Sequence, residues 1–269
     1  MVKPVHEDAR GIIDPAAGLT KFRLDRYPPS GRVERFVDRY WVVSWDLRDD
    51  EPFTQQVFAH PVVNVVFAEE GPFVHGVTTR IGERKLEGAG RALGIMFRPA
   101  GFRPFLGRAL SSITDRVLPI AEVFGPGALE LARVVDAASD DAELTAAADD
   151  FLAARIPAAR QSSEGSTALV EHAAADPSLT RVDALAALAG VGVRQLQRRF
   201  ADHVGVSPKS VIRRYRLYEA AERAARGDGV DWAALAAELG YADQAHLIRD
   251  FSSAIGMTPD RYARATRRT

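Results

Sequence analysis

Between Leu188 and Phe200 the chain reads LAGVGVRQLQRRF, a short glycine-bearing turn followed by five side chains with several hydrogen-bonding groups each: Arg194, Gln195, Gln197, Arg198 and Arg199. An arginine fork matches the O6 and N7 acceptors of guanine, and a glutamine amide matches N6 and N7 of adenine, each good pair giving roughly 1–3 kcal/mol of discrimination. For these groups to meet base edges they must share one exposed face, which requires a helix packed down on its opposite side. Val193, Leu196 and Phe200, at i, i+3 and i+7, supply that apolar stripe, and Val182, Leu185, Ala186, Leu188 and Ala189 repeat at helical spacing ahead of the turn. Packing on the stripe leaves Arg194, Gln197 and Arg198 outward, with Gln195 and Arg199 more towards the side. The pattern predicts a helix-turn-helix whose second helix enters a major groove. A solvated amphipathic helix is the competing reading of this stretch alone.

The surrounding elements decide between the two. A short helix over residues 167–175 ends at Asp176-Pro177-Ser178, and Thr180 is placed to cap a helix over 181–189. Gly190-Val191-Gly192 makes the turn, and residues 193–203 form the outward-reading helix. Ser207 and Pro208 then stand as N-cap and first residue of a long helix reaching about residue 226. The same grammar repeats: Asp231 caps WAALAAEL, Gly240-Tyr241-Ala242 turns the chain, and residues 243–255 form a second outward helix closed by Gly256-Met257-Thr258-Pro259. ALAALAGVGVRQLQRRFADHVGVSP lies over ALAAELGYADQAHLIRDFSSAIGMTP with glycine turns matched and Phe200 over Phe251. At ~1.5 Å per residue the joining helix spans somewhat under 30 Å, close to one ~34 Å turn of B-DNA. Two successive major grooves are thus within reach of one chain.

Bulk properties bound the alternatives. The 269 residues suit two domains, and the absence of cysteine excludes disulfides, Cys-ligated zinc, thiol nucleophiles and thiol redox sensing. No apolar run approaches the ~20 residues of a membrane-spanning helix, and acids stand in the N-terminal stretch where a signal peptide carries its apolar core. A cytoplasmic protein without a membrane partner is expected. Charge is balanced overall, 35 Lys+Arg against 36 Asp+Glu, but residues 166–269 carry 15 basic and 12 acidic residues, a net of +3, which leaves −4 for residues 1–165. Three arginine clusters, Arg194/Arg198/Arg199, Arg213/Arg214/Arg216 and Arg261/Arg264/Arg267/Arg268, are expected to neutralise phosphates locally.

The N-terminal part reads differently. Residues 1–20 lack periodicity and are read as a mobile or loosely docked arm. Residues 21–125 carry short β-branched and aromatic runs broken by Pro and Gly, with candidate strands at 39–45, 54–59, 62–68, 73–77 and 92–97, which suggests a β-rich barrel or sandwich. Such a barrel commonly encloses one small ligand, and Trp41, Trp45, Phe58, His60, Phe67, His75 and Phe97 are the candidate lining for a small apolar or amphipathic effector. His60 and His75 lack the His-x-His pair and following Glu of a metal-binding barrel, so neither a metal nor another cofactor is expected. No G-x-S-x-G elbow or phosphate loop marks an enzyme. Residues 126–156 form an Ala- and Leu-rich helical segment whose apolar face docks on the β domain or pairs with a second subunit, and 157–165 read as a linker. The fold class is therefore α+β: a β-rich domain with a helical segment, then an all-α domain with two helix-turn-helix motifs at 166–269.

Residues 166–269, including RLYEAAERAARG and LGYADQAHLIRDFSSAIGMTPDRY, resemble the DNA-binding domain of the AraC/XylS family of bacterial transcription regulators. The resemblance implies base contacts from Arg194, Gln197 and Arg198 in the first recognition helix and from Gln244, His246 and Arg249 in the second, with the first carrying more specificity. YPPSGRVERFVDRYWVV, PVVNVVFAEEGPFVHG and ALGIMFRPAGFRPFLG resemble the regulatory domain preceding this unit in one subgroup. In the family such domains bind small effectors and dimerise, and activators contact RNA polymerase. The expectation is an effector-controlled activator or repressor that binds double-stranded DNA. The alternatives are a ligand-independent homodimeric DNA-binding regulator and a DNA-modifying enzyme built on the same recognition domain; the best-known such fusion needs a methyl-accepting cysteine, and this chain has none.

Overall fold

The computed structural model describes residues 11–58, 60–226 and 229–266. Its first part runs α1 (Pro15–Gly18), β1 (Arg23–Tyr27), β2 (Val37–Leu47), β3 (Phe53–Val57), β4 (Asn64–Ala68), β5 (Gly71–His75), β6 (Gly82–Leu86) and β7 (Gly88–Phe97). It continues through α2 (Arg103–Leu106), a 3-10 turn at Leu110–Ile113, β8 (Val117–Pro119), α3 (Ala121–Phe124), α4 (Ala128–Ala137) and α5 (Asp141–Ala153). Six strands form one antiparallel sheet in the order β1-β2-β7-β4-β5-β8, and β3 pairs with β6 as a separate ribbon.

Strand alternation gives this sheet two different faces. Tyr40, Val42, Val65, Phe67, Val74, Leu93, Ile95 and Phe97 point to one side and are buried with Leu131 and Val135 of α4 and Leu144, Ala148 and Leu152 of α5. Polar pins fix the helices: the Tyr27 hydroxyl donates to Asp141 at 2.7 Å and the Tyr40 hydroxyl to Asp149 at 2.9 Å. The apolar stripe of α5 is therefore buried against the sheet. Trp41 and Trp45 project from the other face over glycines of β7. A Cβ at Gly94 would stand 1.8 Å from the Trp41 ring, and one at Gly90 would stand 2.4 Å from Trp45.

The ribbon crosses this second face, where Leu86 packs with Phe22 and Leu47 and the Trp45 indole donates to the Glu87 carbonyl at 3.1 Å. The expected N-terminal arm falls partly outside the described residues. Within residues 11–20, Ile13 is 4% exposed and its N–H donates to Gln56, while Phe58 donates to the Gly11 carbonyl.

The second part contains α6 (Glu164–Ala175), α7 (Val182–Leu188), α8 (Val193–His203), α9 (Pro208–Arg226), α10 (Trp232–Glu238), α11 (Gln244–Ile255) and α12 (Pro259–Thr266). The internal repeat is visible in hydrogen bonds as well as in sequence. Gly190 (φ 63) donates to Ala187 while Val191 donates to Ala186; Gly240 (φ 67) donates to Ala237 while Tyr241 donates to Ala236. Both α7 and α10 thus end in the same Schellman closure, which calls for a left-handed residue that glycine adopts without strain. Leu185, Leu196 and Phe200 are buried in the first motif as Leu235, Leu247 and Phe251 are in the second.

Thr180 does not cap α7. The N-cap position is Arg181, whose side chain makes no capping bond, and Thr180 instead packs against the second turn, its Cβ 2.9 Å from where a Cβ on Gly240 would be. The two halves of the chain also meet directly. The Thr114 hydroxyl donates to the Gly205 carbonyl at 2.7 Å, Arg103 bonds Asp202 at 2.8 Å, and Arg98 bonds Glu171 at 2.6 Å.

Candidate nucleic-acid interface

Helix α8 is held by Leu196 and Phe200, which leaves Arg194, Gln195, Gln197 and Arg198 exposed on its outer side, with Arg199 half-buried. Val193, expected in the packed stripe, is 38% exposed, because as the first residue of the helix it lies beyond the facing core. Neither Arg194 nor Arg198 has a hydrogen bond or ion pair among the described residues, so both guanidinium forks are available to a ligand. No side chain caps the helix N-terminus at Gly192. Its first-turn N–H groups therefore face outward together with the arginines.

The second motif is organised otherwise. Gln244, His246 and Arg249 are exposed on α11, and the His246 ring sits edge-on to Tyr241 at 5.1 Å. The carboxylate of Asp243 caps the helix by accepting from His246 N–H at 2.6 Å. Asp250 turns inward, accepting from Arg213 at 2.6 Å and from the Tyr241 hydroxyl at 2.8 Å. Burial first and the Asp250 charge second push the Tyr241 phenol above its usual range, so it remains a neutral donor.

The arginine cluster of α9 was expected to meet phosphates, and the structure places it elsewhere. Arg213 is committed to Asp250. Arg214 is 7% exposed, donates to the Thr78 carbonyl at 3.1 Å and lies over the Phe58 ring at 4.6 Å. Arg216 lies over the Tyr241 ring at 3.9 Å. These three guanidiniums tie α9 to its neighbours, an aromatic-stacking use that arginine clusters in sequence do not distinguish from phosphate binding. Arg261 and Arg264 are exposed on α12, and Arg267 and Arg268 lie outside the described residues.

The candidate effector residues separate by strand parity. Phe67 and Phe97 point into the core beneath α4 and α5. Phe58 and His60 stand at the junction of the two halves: Phe58 packs against Tyr218 at 4.7 Å and accepts its hydroxyl, and His60 stacks on the same ring at 4.5 Å. Only Trp41, Trp45 and His75 share one sheet face, together with Val66, Phe73 and Met96, all half-buried. The Trp41 indole donates to Asn64 at 3.2 Å, and His75 Nδ1 is 3.2 Å from a guanidinium nitrogen of Arg84 on β6. Burial, then the Arg84 charge, hold His75 down to about 4, so the neutral ring accepts from Arg84. Sequence reasoning did not single out Asn64 and Arg84, whose contacts with Trp41 and His75 follow from the strand register and the ribbon crossing rather than from any local motif. Among the described residues no group of three or more His, Cys, Asp or Glu is arranged to hold a metal ion, and no helix is long and apolar enough to cross a membrane.

Two family models match parts of the chain. Residues 185–265 match a family described as a helix-turn-helix domain, and residues 25–119 match a domain of unknown function (DUF6597). No curated protein matches the chain. Similar solved structures include ToxT from Vibrio cholerae O395, at 11% identity over 92% of this chain and 99% of that one, with a TM-score of 0.40. Others are ToxT bound to (E)-4-(8-methylnaphthalen-1-yl)but-3-enoic acid (10% identity, 91% and 99% covered, TM-score 0.42) and unsaturated fatty acid bound wild-type ToxT from strain SCE256 (11%, 90% and 91%, 0.36). Overlays this loose add no geometry to the site.

Proposed function

We propose that the chain is a transcription regulator of the AraC/XylS type, which its helix-turn-helix domain resembles, and that it reads a bipartite promoter site, with α8 supplying most of the base specificity and α11 mainly anchoring. The observation that carries this reading is the pair of unpaired forks, Arg194 and Arg198, one helical turn apart beside Gln197 on an exposed face. Bidentate recognition of guanine and adenine needs such a set. Val193, exposed next to Arg194, adds an apolar contact suited to a thymine methyl. Helix α11 offers Gln244, His246 and a single arginine, Arg249, behind a carboxylate cap. That composition suits backbone positioning better than base readout.

The N-terminal half serves in this proposal as the regulatory domain. Its effector face is the sheet face under the ribbon, with Trp41, Trp45, Val66 and Phe73 as apolar wall and Arg84 with His75 as the polar end. A small amphipathic molecule with an anionic or hydrogen-bond-accepting head fits that arrangement. Its control over DNA binding rests on a different affinity for DNA-competent and incompetent states. Selection of bound sequences from random duplexes tests the reading. Two half-sites about 10–10.5 base pairs apart are expected, with the more information-rich half lost on changing Gln197. Recovery of no enriched sequence contradicts it.

A further inference from the structure

A cleft of ≈ 290 Å³ runs between the two halves of the chain, at the Arg39–Met96 end of the second sheet face. Its size sits at the lower end of small-molecule sites, about 300–1,000 Å³. Asp38, Val62 and Met96 line it from the first half, and Glu171, Tyr215 and Glu219 from the second. Counted over its whole lining, five carboxylates face two guanidiniums. Their existing partners leave acceptors over. Arg98 bonds only Oε1 of Glu171 and Arg223 only Oε1 of Glu219, so both Oε2 atoms lack a donor among the described residues.

One further group on the cleft wall lacks a partner. The Tyr215 hydroxyl has no hydrogen bond among the described residues, although burial and then the carboxylates of Asp38 and Glu171 hold the phenol in its neutral, donor-capable form. An unbonded hydroxyl on a cavity wall marks a place where a ligand or ordered water completes the bonding. The apolar surface is aromatic: the Tyr215 and Tyr218 rings stand 6.3 Å apart, with His60 stacked on the second.

We propose that this cleft binds a small organic cation with a flat apolar body. The cationic head meets Glu171, Glu219 and the oxygen of Tyr215, and the body lies against the tyrosine rings, where a cation is also favoured by their π faces. Because the walls come from both halves, an occupant bridges the regulatory and DNA-binding parts directly.

Calorimetric titration of the full chain tests this without DNA, so its outcome does not depend on the DNA-reading proposal. The probes are benzamidine and tyramine as flat cations and benzoate as the matched anion. Saturable binding of at least one cation, no detectable benzoate binding, and at least tenfold weaker cation binding in Glu171→Gln are the expected results. Tyr215→Phe removes one oxygen and is expected to weaken the same cation several-fold; it keeps the test decisive if Glu171→Gln fails to fold. Binding of neither cation, equal binding of benzoate, or cation binding unchanged in the folded variants overturns the proposal.

Discussion

Gly190 and Gly240 occupy matching turns but have unlike surroundings, and substituting each with alanine separates what the turn requires from what the packing requires. Both glycines are left-handed, at φ 63 and φ 67. An L-residue there costs about 1–2 kcal/mol at either position. A Cβ on Gly190 meets nothing within 4 Å, whereas one on Gly240 meets Thr180 Cβ at 2.9 Å, Cγ2 at 3.0 Å and Oγ1 at 3.1 Å. Overpacking of this kind adds typically 1–3 kcal/mol, giving about 2–5 kcal/mol for Gly240→Ala against about 1–2 kcal/mol for Gly190→Ala. Urea unfolding of the two variants measures the difference. In a double-mutant cycle, Thr180→Gly in the Gly240→Ala background recovers most of the excess, because the strain is shared by that one pair. Equal losses at the two glycines, or no coupling to Thr180, would refute the claim that the two motifs lean on each other at this contact and are spaced rigidly by it.

Other consequences concern charge. Arg214→Met lowers stability, because it removes a buried donor to Thr78, yet leaves the salt dependence of DNA binding unchanged; Arg249→Ala reduces the log–log salt slope by about 0.9 per lost phosphate contact. The reverse pattern in a salt titration would return the α9 arginines to the phosphates. His75 and His203 both have depressed affinity for protons in the folded chain, by burial first, and for His75 then by Arg84. The unfolded chain therefore takes up protons near pH 6.5 that folded His75 refuses until about 4. Stability is insensitive to these groups above about pH 7 and falls as pH drops through 6.5 towards 4. His75→Gln flattens part of that fall in pH-dependent denaturation, and an unchanged profile would mean that the ring takes up its proton equally in the folded and unfolded chain.

The C-terminal half was largely legible in sequence because its signals are local. Glycine turns, Asp231 and Ser207 as caps, and the i, i+3, i+7 stripe fix helix ends and faces within a few residues of themselves. What failed there depended on distant partners. Thr180 carries a capping residue type but faces Gly240, sixty residues away, and Arg213, Arg214 and Arg216 are a basic cluster until Asp250, Thr78 and Tyr241 are placed beside them.

The β domain was less legible. Strands β1, β6 and β8 carry polar residues such as Arg23, Glu83 and Lys85, or too few residues, to stand out as apolar runs. Register then decided the effector candidates. A one-residue difference in parity sends Phe67 to the core and Val66 to the opposite face, and composition does not report parity.

The central claim is that α8 reads sequence. Affinity for the selected site and for random duplex of equal length, measured side by side in 150 mM salt for the parent chain and for Arg194→Ala and Arg198→Ala, tests it most directly. Each substitution is predicted to reduce affinity for the selected site by about 1–3 kcal/mol while leaving random duplex nearly unchanged, so that the double variant loses most of the specificity ratio. Equal losses on both duplexes would make these arginines phosphate contacts and contradict the account.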